Sequence, residues 1–320
     1  MKHAETIPVE VVEVEQATPQ IKHFTFAPVD RHPLPPFSGG SHVIVVMRAG
    51  ERIYRNPYSL MGSPLNLNTY EVSIRRADQS RGGSAFMHEK VNVGTRLELA
   101  HPVNLFPLAK TARKHILIAG GIGITPFMAQ LVQLRRQSAP YELHYSVRSL
   151  EHGAFCERLK QEEGDKVVLY YGDAGQRINF HGLLSNQLLG THVYVCGPGG
   201  MIEAVVDTAR AAGWPDSHIH WEQFVTPPVG EPFDAFLAKA GINVHVPAES
   251  SLLEAIEAAG VDAPYLCRGG VCGTCETEVI ELEGEILHYD HFLSDEEKAS
   301  GKKIMPCISR ARCKSLVLDL

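Results

Sequence analysis

The stretch Pro264-Tyr265-Leu266-Cys267-Arg268-Gly269-Gly270-Val271-Cys272-Gly273-Thr274-Cys275, with a further cysteine at Cys307, has the spacing C-x4-C-x2-C followed by a distant Cys. This is the pattern of a plant-type [2Fe-2S] centre held by four thiolates. Ferric iron is a strong Lewis acid that favours soft thiolate ligands, so three of the ligands are expected from one tight loop. Gly269, Gly270 and Gly273 let that backbone come close and aim its N–H groups at the sulfides. A structural zinc site usually shows two C-x2-C knuckles, and this sequence has one. Disulfides are disfavoured because nothing else marks the chain as secreted. Cys267, Cys272, Cys275 and Cys307 are therefore the expected metal ligands, and the upstream chain reads as a device for delivering electrons to them.

Working outward, 320 residues suffice for two or three domains. A hydrophobic share of 44% and a charged share of 21% describe a soluble globular protein. No apolar run has the length of a membrane span. The N-terminus lacks the apolar core of a signal peptide, and Cys156, Cys196 and Cys313 remain as free thiols, which fits a reducing cytoplasm. The net charge of −7 is unevenly placed: residues 233–320 hold 15 Asp and Glu against 8 Lys and Arg, whereas residues 1–232 hold 22 of each. Nucleic-acid binding is thus disfavoured, and a basic docking partner for the cysteine-bearing segment is expected. Glu281, Glu283 and Glu285, sharing one face of a strand, would supply an acidic patch there.

Between Ile7 and Phe106, short alternating apolar runs such as Val9–Val14, His42–Met47, Tyr70–Arg75 and Arg96–Leu99 are broken by Gly, Pro and Asn. This predicts an antiparallel barrel. Within it stand Arg55-Asn56-Pro57-Tyr58-Ser59, then Ile74-Arg75, then Arg81-Gly82-Gly83-Ser84 leading into a helical Ala85–Lys90. A Gly-Gly-Ser turn opening a helix offers backbone N–H groups and a hydroxyl to a phosphate. Arg55, Arg75, Arg76 and Arg81 could add charge-assisted bonds, and Tyr58 could lie on a ring system. Taken alone, each motif reads better as a hairpin turn or solvated rim arginines; their combination ahead of a nucleotide-type domain reverses that.

After Phe106-Pro107-Leu108 the pattern changes to alternating strands and helices. The strand His115–Ala119 runs into Gly120-Gly121-Ile122-Gly123-Ile124-Thr125-Pro126 and a helix over Phe127–Arg136, a dinucleotide-type turn in which Pro126 takes the third glycine position. Strands at Tyr141–Val147, ending at Arg148-Ser149, and at Lys166–Tyr171 follow. Another strand at His192–Val195 enters Cys196-Gly197-Pro198-Gly199-Gly200-Met201. Two such turns in one parallel sheet point to a bound nucleotide. His218, His220 and Glu222 alternate along a predicted strand, a spacing more usual for surface residues than for a metal site. The proline-rich Thr226–Pro232 reads as a linker. Beyond it, Ser251-Leu252-Leu253-Glu254 predicts a capping box on a helix ending at Gly260, just before the cysteine loop.

Taken together, these parts resemble the phthalate dioxygenase reductase family along nearly the whole chain. The carriers are Arg55…Tyr58-Ser59, Arg81–Ser84, Asn104–Leu108, Gly120–Pro126, Cys196-Gly197-Pro198, Glu222-Gln223-Phe224 and the four cysteines. The resemblance implies a multidomain β and α/β protein: an FMN-binding barrel over 1–106, an NAD-binding parallel-sheet domain over 107–225, a linker over 226–234 and a β-grasp plant-type ferredoxin over 235–320. It implies FMN and NADH beside the [2Fe-2S] cluster, and a Rieske-type terminal oxygenase as the protein acceptor. A monomer without membrane or nucleic-acid partners is expected. The implied cofactor-binding set comprises Arg55, Asn56, Tyr58, Ser59, Ile74, Arg75 and Arg81–Ser84 for the flavin. For the nucleotide it comprises Gly120, Gly121, Gly123, Thr125, Pro126, Arg148, Ser149, Cys196, Gly197, Pro198 and Met201. Thr125, Glu222 and Phe224 are placed near the flavin. One departure stands out. The family spaces Arg, one residue, Tyr, Ser, whereas here Arg55 precedes Tyr58 by three, so either Arg55 reaches the phosphate through a bulge or Asn56 takes its place. The alternative is an NADPH- or FAD-dependent ferredoxin-type reductase serving another acceptor.

Overall fold

The computed structural model describes residues 6–30, 32–50, 52–78 and 80–320. It falls into two compact units, one ending at Gln223 and the other spanning Phe224–Leu320.

The first unit begins with β1 (Ile7–Thr18), β2 (Ile21–Pro28), β3 (Ser41–Ala49), β4 (Arg52–Ser59), β5 (Tyr70–Arg75), α1 (Gly83–Lys90), β6 (Arg96–Leu99) and β7 (Val103–Asn104). The strands form an antiparallel sheet in the order β4-β3-β6-β1-β2-β5, with β7 paired to β3. Inward-facing Val9, Val11, Phe24, Phe26, Val43, Val45, Tyr70 and Val72 alternate with outward residues and close around one core, into which α1 inserts Met87. The alternation read from the sequence becomes this wrapped sheet because a period of two puts every second side chain on the same face.

The same unit continues with β8 (Lys114–Gly120), a 3-10 turn at Gly121–Ile124, α2 (Thr125–Arg136), β9 (Tyr141–Val147), α3 (Cys156–Glu163), β10 (Val167–Tyr171), α4 (Phe180–Leu184), β11 (Thr191–Cys196), α5 (Gly199–Ala211) and β12 (Ile219–Glu222). The strands lie in the order β10-β9-β8-β11-β12, and every pair is parallel. Such strands are covered on both faces and read as continuous apolar runs; Ile116, Leu117, Ile118, Val193, Tyr194 and Val195 are all buried. The two sheets are fastened at Gly39-Gly40. Gly39 N donates to Gln133 Oε1 at 3.1 Å, and buried Gln130 donates to Phe106 O at 2.7 Å. A Cβ on Gly39 would stand 2.6 Å from the α2 backbone at Gln130.

The second unit contains β13 (Phe233–Leu237), β14 (Ile242–Val246), α6 (Leu252–Ala258), β15 (Thr277–Leu287), α7 (Asp295–Ser300), β16 (Lys303–Ile304) and β17 (Arg310–Leu318). Its sheet runs β14-β13-β17-β15-β16, with β13 and β17 parallel. Leu252, Leu253 and Ile256 of α6 pack on this sheet in one core. The Ser251–Glu254 capping box forms in both directions, and Ser294–Glu297 makes a second one on α7. The proline-rich stretch is less free than a linker: Arg310, almost fully buried, donates to Glu231 O at 2.9 Å and Pro247 O at 3.2 Å, and also to Ser250 O.

Candidate electron-transfer site

The cysteine loop leaves α6 and enters β15. Cys267 lies within hydrogen-bonding reach of Cys272 and Cys307, and Cys275 within reach of Cys307, so all four thiols expected as ligands meet in one chain of contacts. Among the described residues, no three His, Cys, Asp or Glu side chains are grouped to close on a single metal ion. Cys267, Cys275 and Cys307 are buried, and Cys272 is the most accessible of the four. Cys313 lies on β17 opposite Gly284, and Cys156 and Cys196 belong to the other unit.

The loop backbone is held open by left-handed residues: Arg268 at φ 54°, Gly270 at 73° and Gly273 at 76°. Arg268 is not glycine, so its conformation has to be held by contacts. Its guanidinium is buried, pairs with Glu257 of α6 and lies 4.0 Å from the Tyr265 ring centroid. Gly269 N donates to Cys267 Sγ at 3.3 Å. Thiols that converge on a cradle of backbone N–H groups fit a [2Fe-2S] cluster.

In the parallel sheet, β9 and β10 lie to one side of β8, and β11 and β12 to the other, so the strand order reverses between β8 and β11. Both glycine turns sit at the carboxyl ends of these two strands, where such sheets bind ligands. They pack edge to edge. A Cβ on Gly120 would stand 2.7 Å from Pro198 Cδ and 2.9 Å from Met201 Sδ, and one on Gly123 would stand 2.2 Å from Cys196 O. Only Gly121 has a positive φ, 54°. The helices that follow start without side-chain caps; α5 offers N–H groups of its first turn to an anion, whereas in α2 Pro126 has no N–H and Thr125 N donates to Ile122 O. Thr125 spends its hydroxyl on Ile122 O at 3.0 Å. Arg148 and Ser149 close β9, with Arg148 O accepting from Asp173 N at 2.9 Å and Ser149 Oγ 2.8 Å from His152 Nδ1.

Glu222 ends β12 in register with Cys196. Its Oε2 is buried without a hydrogen-bond partner, and burial pushes its carboxyl up to about 8. Phe224, expected beside it, is 47% exposed and falls in the second unit. His218 lies in a 3-10 turn rather than on the strand. It stacks on His192 with centroids 4.0 Å apart, while His192 Nδ1 is 2.9 Å from His220 Nε2.

On the barrel, β4 pairs β3 without a register shift, so Tyr54, Asn56 and Tyr58 share one face and Arg55 takes the other. The bulge that would bring Arg55 round is not there; Arg55 instead helps hold the Glu98 carboxyl low, after the larger effect of Arg48. Asn56 donates to Tyr58 OH at 3.2 Å, and burial pushes that phenol up to about 12. The Gly82-Gly83 turn lies against this face, since a Cβ would stand 2.1 Å from Tyr54 OH at Gly82 and 2.5 Å from Asn56 Nδ2 at Gly83. Ser84 Oγ accepts from Ala77 N at 3.2 Å and meets Ser80 Oγ at 3.0 Å. Ser59 is buried next to this face. Arg75 pairs with Asp78 and Arg76 with Glu89, while Ile74 is buried in the core. Arg81 directly precedes the glycine turn. A tyrosine-lined face closed by side-chain-free turns suits a planar phosphorylated cofactor.

Strand parity would have separated Asn56 from Arg55 in the sequence. Nothing there signals Arg310 or the Glu257–Arg268 pair, whose partners are backbone carbonyls or residues eleven positions away. The expected acidic face of β15 is also altered. Register shifts fall at Val279/Glu281 and Glu283/Gly284, and Glu283 and Glu285 are paired with Lys314 at 2.8 Å and Arg312 at 2.7 Å.

An antiparallel barrel, a parallel nucleotide-type sheet and a four-thiol domain in one chain define a modular iron–sulfur oxidoreductase. Residues 236–312 match the 2Fe-2S iron-sulfur cluster binding domain, and residues 102–219 match the N-terminal domain of dimethylamine monooxygenase subunit DmmA-like proteins. The chain is 49% identical over 320 residues to the carnitine monooxygenase reductase subunit of Acinetobacter baumannii, covering 99% of each. It is 44% identical over 313 residues to the heme-dependent oxidative N-demethylase beta subunit of Ectopseudomonas mendocina, covering 98% of each. The solved structure of phthalate dioxygenase reductase superposes with a TM-score of 0.88 at 33% identity, covering 98% of both chains. The chain belongs to the phthalate dioxygenase reductase family, the reductase components of oxygenase systems. Among the described residues no helix is long and apolar enough to cross a membrane.

Proposed function

We propose that the chain takes electrons from NADH, through FMN and its [2Fe-2S] centre, to a Rieske-type terminal oxygenase in the cytoplasm, acting as a monomer. The observation that carries this reading is the meeting of four thiols in one unit of a chain whose other unit places two glycine turns at a sheet reversal. When bound, NADH supplies hydride, flavin exchanges electrons in pairs or singly, and the cluster carries one at a time.

The chain's own residues bind and orient. The uncapped start of α5, with the glycine turn before α2 packed against it, would hold the pyrophosphate of NADH, with Arg148 and Ser149 at its adenosine end. Gly197 and Pro198 leave room for the nicotinamide. Tyr58 and Asn56 would flank the flavin, and Gly82, Gly83 and Ser84 would close over its phosphate. Asn56 rather than Arg55 takes the flavin side of β4. Glu222, neutral at pH 7 when its carboxyl titrates near 8, keeps a proton beside Cys196 and avoids a charge there. Cys267, Cys272, Cys275 and Cys307 would hold the iron. NADH over NADPH follows the family and Glu151, three residues after Arg148, whose charge would oppose a 2′-phosphate.

The relative described as a heme-dependent N-demethylase subunit supports a second reading, a haem-bearing acceptor. Released flavin should co-elute with FMN, and NADH should bleach the protein with higher kcat/KM than NADPH. Reduction of a candidate partner followed by EPR separates the acceptors, a Rieske signal supporting the first and a change confined to haem the second.

A further inference from the structure

The two sheets of the first unit meet at a second place besides Gly39-Gly40. The loop that leaves β9 after Arg148 is a run of tight turns: His152 N donates to Ser149 O at 3.2 Å, Gly153 N to Leu150 O at 3.1 Å and Cys156 N to Gly153 O at 3.4 Å. It ends at Phe155, whose φ of 62° and ψ of 9° lie in the left-handed region. A bulky side chain rarely adopts that conformation, whereas glycine takes it freely. Its neighbours hold the backbone there: Ala154 and Cys156 are both buried, and Phe155 O accepts from Leu159 N at 2.9 Å as α3 begins. Glycine would serve this turn better, so the ring itself has to be accounted for.

The ring faces the barrel. It meets the His23 imidazole of β2 edge-on, with centroids 5.8 Å apart and planes at 74°. His23 is buried, with Nδ1 2.9 Å from Ser73 Oγ and Nε2 3.5 Å from Glu71 Oε2. Ser73 and Glu71 belong to β5, the strand that continues into Ile74 and Arg75 and runs past the Gly121–Ile124 turn. Arg158, one turn along α3 from Phe155, supports the same contact. The Glu71 carboxyl is held below its usual range chiefly by His23 and in smaller part by Arg158. A single fastening through α2 at Gly39 would let the two sheets pivot about it. A second through α3, which shares its core with α2, fixes the angle. Backbone strain kept at one residue by its surroundings is a mark of functional positions.

We propose that Phe155 is a positioning residue for hydride transfer: its ring, seated on His23, sets the angle at which the nucleotide sheet presents a nicotinamide to the flavin strand β5. This rests on the functional reading above. The ring exchanges neither proton nor electron; it acts through His23 and β5.

The test uses the full-length holoprotein with Phe155→Gly, which keeps the left-handed turn and deletes the ring, Phe155→Tyr, His23→Ala and the Phe155→Gly/His23→Ala double variant. Flavin bleaching followed over a range of NADH concentrations separates the limiting rate from the Kd for NADH. Phe155→Gly should lower the limiting rate about ten-fold and leave the Kd unchanged, and Phe155→Tyr should restore the rate. His23→Ala should lower it equally and the double variant no further, because each single change removes the same contact. Without NADH, the His23 ring-proton NMR resonances should move in Phe155→Gly and keep their places in Phe155→Tyr. A limiting rate equal to the parent's would overturn the positioning role. So would a loss confined to the Kd, unmoved His23 resonances, or losses that multiply in the double variant. If Phe155→Gly does not retain its flavin, His23→Ala decides by the same split of rate and Kd. A parent that NADH does not bleach would instead refute the functional reading, and the positioning role with it.

Discussion

The nucleotide turns and the cysteine loop are both rich in glycine, but they need it for different reasons. At Gly120 and Gly123 the requirement is space: Gly120 has ordinary extended dihedrals, and what a Cβ would meet there is a neighbouring turn. In the cysteine loop a conformational requirement is added to the spatial one, with positive φ at Gly270 and Gly273, and even Arg268 adopts the left-handed region. The first arrangement brings two backbone turns together to face a ligand from outside. The second bends one backbone around a ligand at its centre, and it is braced by a buried ion pair instead of a second turn.

The sharpest test of this contrast removes a thiol. Cys272→Ser or Cys307→Ser should abolish or destabilise the cluster, seen as loss of its visible absorption and EPR signal, and electron delivery to protein acceptors should collapse. Flavin bleaching by NADH should persist, and Cys313→Ser should resemble the parent. Loss of the cluster in Cys313→Ser but not in Cys307→Ser would reassign the fourth ligand.

Next comes the brace. Glu257→Gln leaves the Arg268 charge buried without its partner, which should cost about 3–5 kcal/mol in the urea unfolding of the second unit. An unchanged midpoint would show that the loop holds its left-handed turns without the pair.

Smaller effects are expected at the nucleotide turns. Gly123→Ala sets a methyl 2.2 Å from the Cys196 carbonyl oxygen, an overpacking worth about 1–3 kcal/mol, and should raise KM for NADH. Gly121→Ala meets no neighbouring atom within 4 Å and should cost only about 1 kcal/mol, for its positive φ. Equal losses at both positions would erase the distinction between space and conformation.

The smallest effect is a pH slope. The Glu222 carboxyl is raised by burial from its ordinary 4.5 to about 8, so the stability it contributes is full below pH 4.5 and is lost as pH rises through 8. Glu222→Gln should flatten the decline in first-unit stability between these limits, a slope of at most about 1.4 kcal/mol per pH unit. A slope identical to the parent's would mean that the carboxyl titrates normally.

Much of this was legible in the sequence because it rests on local pattern. Period-two runs foretold the wrapped sheet, continuous apolar runs foretold the parallel one, and cysteine spacing foretold which thiols would meet. Tyr141–Val147 is a strand over just those residues. The misses arise where distant segments decide the outcome. Glu283 and Glu285 read as a free acidic face, but Lys314 and Arg312 arrive from β17, and bulges shift the register. His218 and His220 read as alternating strand residues, yet a 3-10 turn places the first against His192. At Arg55 and Asn56 the motif left two alternatives, and the side-chain parity of the strand puts them on opposite faces.

Arg310 has a consequence for how the proline-rich stretch is held. Gly230 N bonds Ala248 O, Arg310 grips Glu231, and Val225 packs on the second unit's core, so most of the proline-rich stretch belongs to that unit's surface. A single buried guanidinium thus gathers three carbonyls, and Arg310→Ala would release them together without altering a single cofactor ligand.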